Sequence, residues 1–217
     1  MALLRFSRRA YLEEFRSGSL YLNTQNYFKE LENRDAQADR FENVDVIAQP
    51  RDIKSFRITN NQPGQVMEIP PQQFRGPLLI NLGRRAYNLF CMYSIPTSTV
   101  GNPMVDPRNF NCADWDAFTV VRNSQEFLDR FQRAAEAAGF RMACNLVEYY
   151  DADAYTGDVG PFRKPNSFAY QREFRVVIFP GSAGPVRLEL ESLEDITAPI
   201  WPLAEINSLM EFNSPLG

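Results

Sequence analysis

The sequence predicts an α+β fold: a mixed or antiparallel β-sheet core with a few flanking helices. Three observations carry this reading. At least eight short segments have strand character against two with helical periodicity, and the two kinds do not alternate, which disfavours a doubly wound parallel sheet. The near-continuous apolar run at 87–95 (YNLFCMYSI) reads as a central strand buried on both faces. Finally, 217 residues with 44% hydrophobic and 13% aromatic content supply one substantial core without disulfides or metals. No internal repeat or linker divides the chain, so a single domain over 1–217 is expected.

Residues 3–6 read as a short strand, after which Ser7 can cap a helix with Tyr11, Leu12 and Phe15 on one face, and Gly18 supplies the stop. The segment 19–23 (SLYLN) alternates as a strand should. An aromatic stretch and a charged loop over 30–42 follow. Between 44 and 82 the signal is of short strands (VDVIA, SFRIT, QVMEI, PLLIN), with Asn60, Asn61, Pro63 and Gly64 marking one hairpin-like connection. The loop after the central run is rich in Pro, Asn and Asp. Asn123 and Glu126 are spaced as a capping box, and Phe127, Leu128, Phe131, Ala134, Ala135 and Ala138 recur at helical spacing before Gly139. Segments 142–149, 173–179 and 186–190 read as further strands.

Composition excludes much chemistry. The chain has no histidine, which removes Ser-His-Asp and Cys-His triads, H-E-x-x-H zinc sites and histidine-based nucleases. Neither G-x-x-x-x-G-K-[ST] nor G-x-G-x-x-G after a strand is present, so a nucleotide must be held another way. A net charge of -4 and a pI of about 5.1 disfavour broad phosphate neutralisation; the nearest basic set is Arg5, Arg8, Arg9 and Arg16, with Arg84 and Arg85 elsewhere. Cys91, Cys112 and Cys144 form no C-x-x-C pair and leave one unpaired, which favours a reducing compartment. With no signal-like N-terminus and no apolar run of membrane-spanning length, a cytoplasmic location without membrane contact is expected. Asp151, Asp153 and Gly157 are spaced as a turn, since Phe162 stands where a calcium loop needs glutamate.

The most informative segment is FRKPNSFAYQREFRVVIF. In its strand Phe174, Val176 and Ile178 share one face, and Glu173, Arg175, Val177 and Phe179 the other. That second face starts polar and ends apolar, as where a strand leaves the core to line a cleft. Gln171 stands two residues before Glu173.

This Gln-x-Glu pattern resembles the Gln-x-Glu or Glu-x-Glu element of ADP-ribosyltransferases. The resemblance extends to an arginine on the first core strand, Arg5, and to a strand ending in hydroxyl residues, Ser94 with Thr97, Ser98 and Thr99 beyond. The layout is also similar to an uncharacterised bacterial and phage family, a domain of unknown function. Its members open with an aromatic-containing strand, a helix and a G-x-L-x-x-x strand, and close with F-x-K-x-x-x-[FY]-x-x-E-x-E-[FY]-R. Those elements are RFSRRAYLEEFRSGSLYLNTQNYF and FRKPNSFAYQREFR in this chain, with Gln171 replacing the first closing glutamate.

The resemblance implies split sheets and NAD as substrate. Glu173 would stabilise the oxocarbenium-like transition state at the nicotinamide ribose, and Gln171 would position an acceptor. Arg5, or secondarily Arg175, would hold the diphosphate. Ser94 would orient the ribose or Glu173, while Tyr21, Asn23 or Tyr27 would contact the ring. ADP-ribose would go to a protein or nucleic-acid acceptor, as in a bacterial or phage effector or defence protein, or to water. Two alternatives stay open: a non-catalytic protein-interaction module on the same fold, and a metal-dependent nuclease around Asp45, Asp52 and Lys54. The enzyme requires Arg5, Ser94 and Glu173 to meet in one cleft, the nuclease requires its acids within metal-bridging distance, and the module requires neither.

Overall fold

The computed structural model describes residues 1–27, 41, 44–59, 66–82, 86–95, 104–110 and 114–209. Strand β1 (Ala2–Ser7) leads through helix α1 (Arg9–Ser17) into β2 (Ser19–Thr24). Four short strands follow: β3 (Val46–Ala48), β4 (Phe56–Thr59), β5 (Val66–Ile69) and β6 (Leu78–Ile80). Next come the long β7 (Asn88–Ile95), β8 (Ala117–Val121) and helix α2 (Ser124–Ala137). The remaining strands are β9 (Arg141–Leu146), β10 (Glu148–Tyr150), β11 (Gly157–Asp158), β12 (Arg163–Pro165), β13 (Glu173–Phe179), β14 (Val186–Glu189) and β15 (Trp201–Pro202). A short helix, α3 (Ile206–Leu209), ends the described chain. The class is α+β, and among the described residues the strands pair antiparallel except for the parallel pair β10–β12. Among the described residues no helix is long and apolar enough to cross a membrane.

The helix ends follow local chemistry, with one correction. Ser7 does not cap α1. It is spent in β1, paired with Ala117, and the first turn is satisfied from across the chain, where the Asp116 carboxylate accepts the Arg9 N–H at 2.8 Å. Tyr11 is exposed rather than facing the core, leaving Leu12 and Phe15 as the buried stripe. Gly18 ends the helix at φ 104°, and an added Cβ would stand 2.4 Å from the Leu190 carbonyl oxygen. At α2 the Asn123 side chain accepts the Glu126 N–H at 3.1 Å, while the Glu126 carboxylate turns to Arg130 at 2.8 Å. The strand expected over 142–149 is two strands, broken where the Val147 N–H reaches the Glu173 carbonyl.

The central strand β7 organises the main sheet. One of its edges carries β13 through six pairs, from Glu173↔Tyr93 to Ile178↔Asn88, with β9 beyond. Its other edge is divided. β1 pairs with the C-terminal end (Ala2↔Ile95 to Leu4↔Tyr93) and β2 with the N-terminal end (Asn23↔Leu89, Thr24↔Asn88). Between them the sheet splits into two arms, β1–β8–β15 and β2–β14.

Directly paired residues share a face and neighbours along a strand alternate, so the faces are fixed by register. Leu3, Phe90, Met92, Phe174, Val176 and Ile178 occupy one face, packed against Phe15 of α1 and Phe127 and Phe131 of α2. The other face carries Leu4, Phe6 and Tyr93, covered in part by Val105, Leu203 and Ile206. A third cluster, Phe41, Ile47, Tyr150 and Val159, holds the small sheet of β3, β6 and β11.

Candidate active site

The polar start of β13 lies on the face away from α1 and α2. It is delivered by a 3-10 turn at Asn166–Gln171 and by Arg172, which takes a left-handed conformation (φ 41°, ψ 48°). A non-glycine residue held there is strained, and Ser94 of β7 fixes it: the Arg172 carbonyl accepts both the Ser94 N–H and its hydroxyl, each at 2.8 Å. Glu173 follows as the first residue of the strand, its N–H donating to the Tyr149 hydroxyl at 2.9 Å.

The Glu173 side chain is only 12% exposed and is held by two cations, each 2% exposed. Lys164 of β12 donates to Glu173 Oε1 and to Gln171 Oε1, both at 2.9 Å. The Arg175 Nε donates to Glu173 Oε2 at 2.6 Å, and its Nη1 to the Pro161 carbonyl at 2.7 Å. Burial alone would raise the pKa of Glu173. The charges and hydrogen bonds of Arg175 and Lys164 outweigh it and hold the carboxyl at about 2. Glu173 is therefore an anion at any working pH, and with one cation on each oxygen it keeps lone pairs for further donors.

Two neighbours are kept neutral by the same surroundings. Burial, reinforced by the Glu173 charge, pushes the Cys91 thiol up to about 12 against the pull of Arg175, Lys164 and Arg5. It is not a thiolate nucleophile. Burial and Glu173 likewise raise the Tyr149 phenol.

Arg5 and Ser94 do not meet Glu173 in one cleft. Ser94 pairs with Leu3 and so shares its face, whereas Glu173 pairs with Tyr93 and faces the other way. Arg5 also lies off the Glu173 face. Its guanidinium stacks 4.5 Å from the Phe90 ring and its Nη1 donates to the Cys91 carbonyl at 2.6 Å. That carbonyl lies at the split, beyond the pairs that β1 and β2 make with β7, so Arg5 supplies the bond a strand would otherwise give. Burial lowers the Arg5 pKa, with Cys91 and Tyr27 opposing.

The other expected residues divide differently. Asn23 pairs with Leu89, so it and Tyr21 lie on the Glu173 side of the sheet, with Tyr21 exposed. Tyr27 is exposed, its N–H donating to the Thr24 hydroxyl at 3.2 Å. Arg175 belongs to the site as a partner of Glu173. Lys164 and Tyr149 were missed by sequence reasoning. For Lys164 a signal existed, since it is one of three lysines in the chain and lies in the closing segment.

The acids of the nuclease alternative are engaged separately. Asp45 accepts the Leu82 N–H at 2.5 Å and Asp52 the Thr156 hydroxyl at 2.5 Å, and Lys54 is exposed. Among the described residues no group of three His, Cys, Asp or Glu side chains is placed to hold a metal ion. Thr97, Ser98, Thr99, Arg84, Arg85, Cys112, the 30–40 part of the charged loop and the Asn60–Gly64 turn signals lie outside the described residues. Compared with family models, curated proteins and solved structures, this chain matches none.

Proposed function

We propose that this chain is an ADP-ribosyltransferase-like domain that binds NAD at the start of β13 and cleaves the nicotinamide–ribose bond, with Glu173 as the charge-stabilising carboxylate. The three-residue cleft of Arg5, Ser94 and Glu173 that the resemblance required is not formed, so the reading is carried by the Gln171-x-Glu173 pair alone: two side chains converging on one buried lysine, the glutamate ionised, beside a split central sheet. Tyr21 and Asn23 on the same side are available to the nicotinamide or its ribose.

In the proposed step the C1′–N bond breaks heterolytically and its electron pair leaves with nicotinamide, which departs neutral without a general acid. The cationic ribose carbon is stabilised by the Glu173 carboxylate in a site of low dielectric. The acceptor's nucleophile then bonds to C1′ and releases its proton to solvent. A protein or nucleic-acid acceptor gives ADP-ribosyl transfer, in which Gln171 offers both amide donors and an acceptor for positioning; water gives hydrolysis. In this arrangement Arg5 and Ser94 act from behind, the first holding the split open at Cys91 and the second fixing the backbone that presents Glu173.

The test is the thermal stability of the purified protein with and without NAD, followed by a nicotinamide-release assay on the same sample. A ligand-dependent upward shift with release, lost in Glu173→Gln, supports the reading. No shift and no release overturns it. A second reading, a non-catalytic interaction module, would then lead. It draws on the β4–β5 ribbon, whose register (Ile58↔Met67, Phe56↔Ile69) gathers four apolar side chains on one face, with Ile58 50% and Met67 62% exposed, and puts Arg57 and Glu68 on the other.

A further inference from the structure

The tip of Gln171 is held by a group that can only donate. The Lys164 ammonium, 2% exposed, lies 2.9 Å from Gln171 Oε1 and 2.9 Å from Glu173 Oε1. A glutamine amide has nearly the same outline with its oxygen and nitrogen exchanged, so shape does not choose between the two orientations and chemistry does. An ammonium carries donors and no lone pair. Set against an amide N–H, a buried ammonium would lose a charge-assisted bond and gain a repulsion. The oxygen therefore points inward at Lys164 and the nitrogen points away from it. Among the described residues Gln171 Nε2 makes no hydrogen bond.

The base of the side chain is fixed as well. Gln171 closes the 3-10 turn, and the carbonyl of the next residue, Arg172, is bound by both the N–H and the hydroxyl of Ser94. Lys164 is set in turn by β12, whose parallel pairing places it opposite Tyr149, the residue whose hydroxyl accepts the Glu173 N–H. One lysine thus ties the Gln171 amide to the Glu173 carboxylate, and both ends of the glutamine are anchored before a ligand arrives.

We propose that Lys164 is a positioning residue that locks the Gln171 amide with its two Nε2 donors outward, and that the acceptor at this site is consequently an oxygen nucleophile rather than a nitrogen cation. The oxygen of an alcohol, a carboxylate or water has more than one lone pair. One accepts from Nε2 while another attacks C1′; the C1′–N electron pair leaves with nicotinamide, and a proton on the attacking oxygen passes to solvent. A guanidinium or an ammonium has no lone pair to offer Nε2 and sets donor against donor. The acceptor class rests on the function proposed above; the lock on Gln171 does not.

The experiment incubates wild type, Lys164→Met and Gln171→Met with NAD and equal concentrations of methanol and agmatine, and measures the ratio of ADP-ribosyl methanol to ADP-ribosyl agmatine. A product ratio taken within one sample does not change when part of the protein is unfolded or slow, so a merely structural Lys164 leaves it at the wild-type value. The wild type should favour methanol, and the ratio should fall at least about tenfold in both variants. Transfer mainly to agmatine by the wild type overturns the proposal, and so does a ratio that Lys164→Met leaves unchanged. The lock is read separately from the Gln171 side-chain amide resonances of isotope-labelled protein, assigned by their loss in Gln171→Met. In the wild type they should lie away from the position of a freely turning glutamine, and in Lys164→Met they should move to it. That behaviour without nicotinamide release supports the lock and refutes the dinucleotide reading. Resonances of a free glutamine in the wild type overturn the proposal whether or not NAD is cleaved.

Discussion

Replacing Glu173 by glutamine keeps the shape of the side chain and removes its charge. In the native protein one carboxylate oxygen takes Lys164 and the other takes Arg175, each nearly inaccessible to solvent. A glutamine amide offers one acceptor oxygen, so one of the two cations would face an N–H donor instead. Removing one partner of a buried ion pair typically costs about 3–5 kcal/mol. Proton linkage for the same contacts gives a figure of that order: a carboxyl held at about 2 in the folded state, against an ordinary 4.5, contributes roughly 3 kcal/mol. Because the folded pKa is the lower one, this stabilisation is fully present above about pH 4.5 and is lost as the pH falls towards 2.

Urea denaturation of wild type and Glu173→Gln, followed by tryptophan fluorescence at a series of pH values from 7 to 3, measures both. At pH 7 the variant should be less stable by about 3 kcal/mol, a large share of the roughly 5–15 kcal/mol typical of a domain. The gap should narrow as the pH drops below 4.5. Adding Lys164→Met to the variant should restore part of the loss, since it removes one of the cations left short of its carboxylate. A gap below about 1 kcal/mol at pH 7, or one that stays constant with pH, would refute the argument that the two cations hold an ionised Glu173.

Ser94→Ala removes one of the two bonds to the Arg172 carbonyl and should cost about 1 kcal/mol by the same denaturation assay; an unchanged midpoint would show that the Ser94 N–H alone holds the strained residue. Gly18→Ala combines φ 104° with a Cβ 2.4 Å from Leu190 O and 2.9 Å from Glu191 O. It should cost at least about 2 kcal/mol, lowering the melting temperature by roughly 4–8 °C, and a melting temperature within a degree of wild type would contradict the close approach of α1 to the chain after β14.

The parts of the fold that were legible in the sequence are those decided by near neighbours. Phe174, Val176 and Ile178 do form the core face of their strand, Phe127 and Phe131 the buried stripe of α2, and the 87–95 run the central strand. Local signals failed where a distant group competed. Ser7 is spaced as a cap, but β-pairing took it and Asp116 did its work.

The candidate site depends on a longer-range fact, the register of β13 on β7. Side chains in a strand alternate with a period of two, so slipping the pair by one residue would put Glu173 opposite Met92 and turn it toward α1 and α2. The order Arg5, Ser94, Gln171, Glu173 along the chain is the same in either register and so carries no information about which of them share a face. Lys164 and Tyr149 escape sequence reasoning for a related reason: they reach Glu173 from β12 and β10, strands joined by the one parallel pairing among the described residues, which no local pattern announces. What the chain does encode locally is the demand for them. A glutamate and an arginine two apart on the face of a strand that ends in a core need partners before they can be buried, and the closing segment carries both the lysine that supplies one and the left-handed residue that aims the strand. The polar half of the site is thus written within a dozen residues, while its position relative to Arg5 and Ser94 is set only when the sheet is assembled.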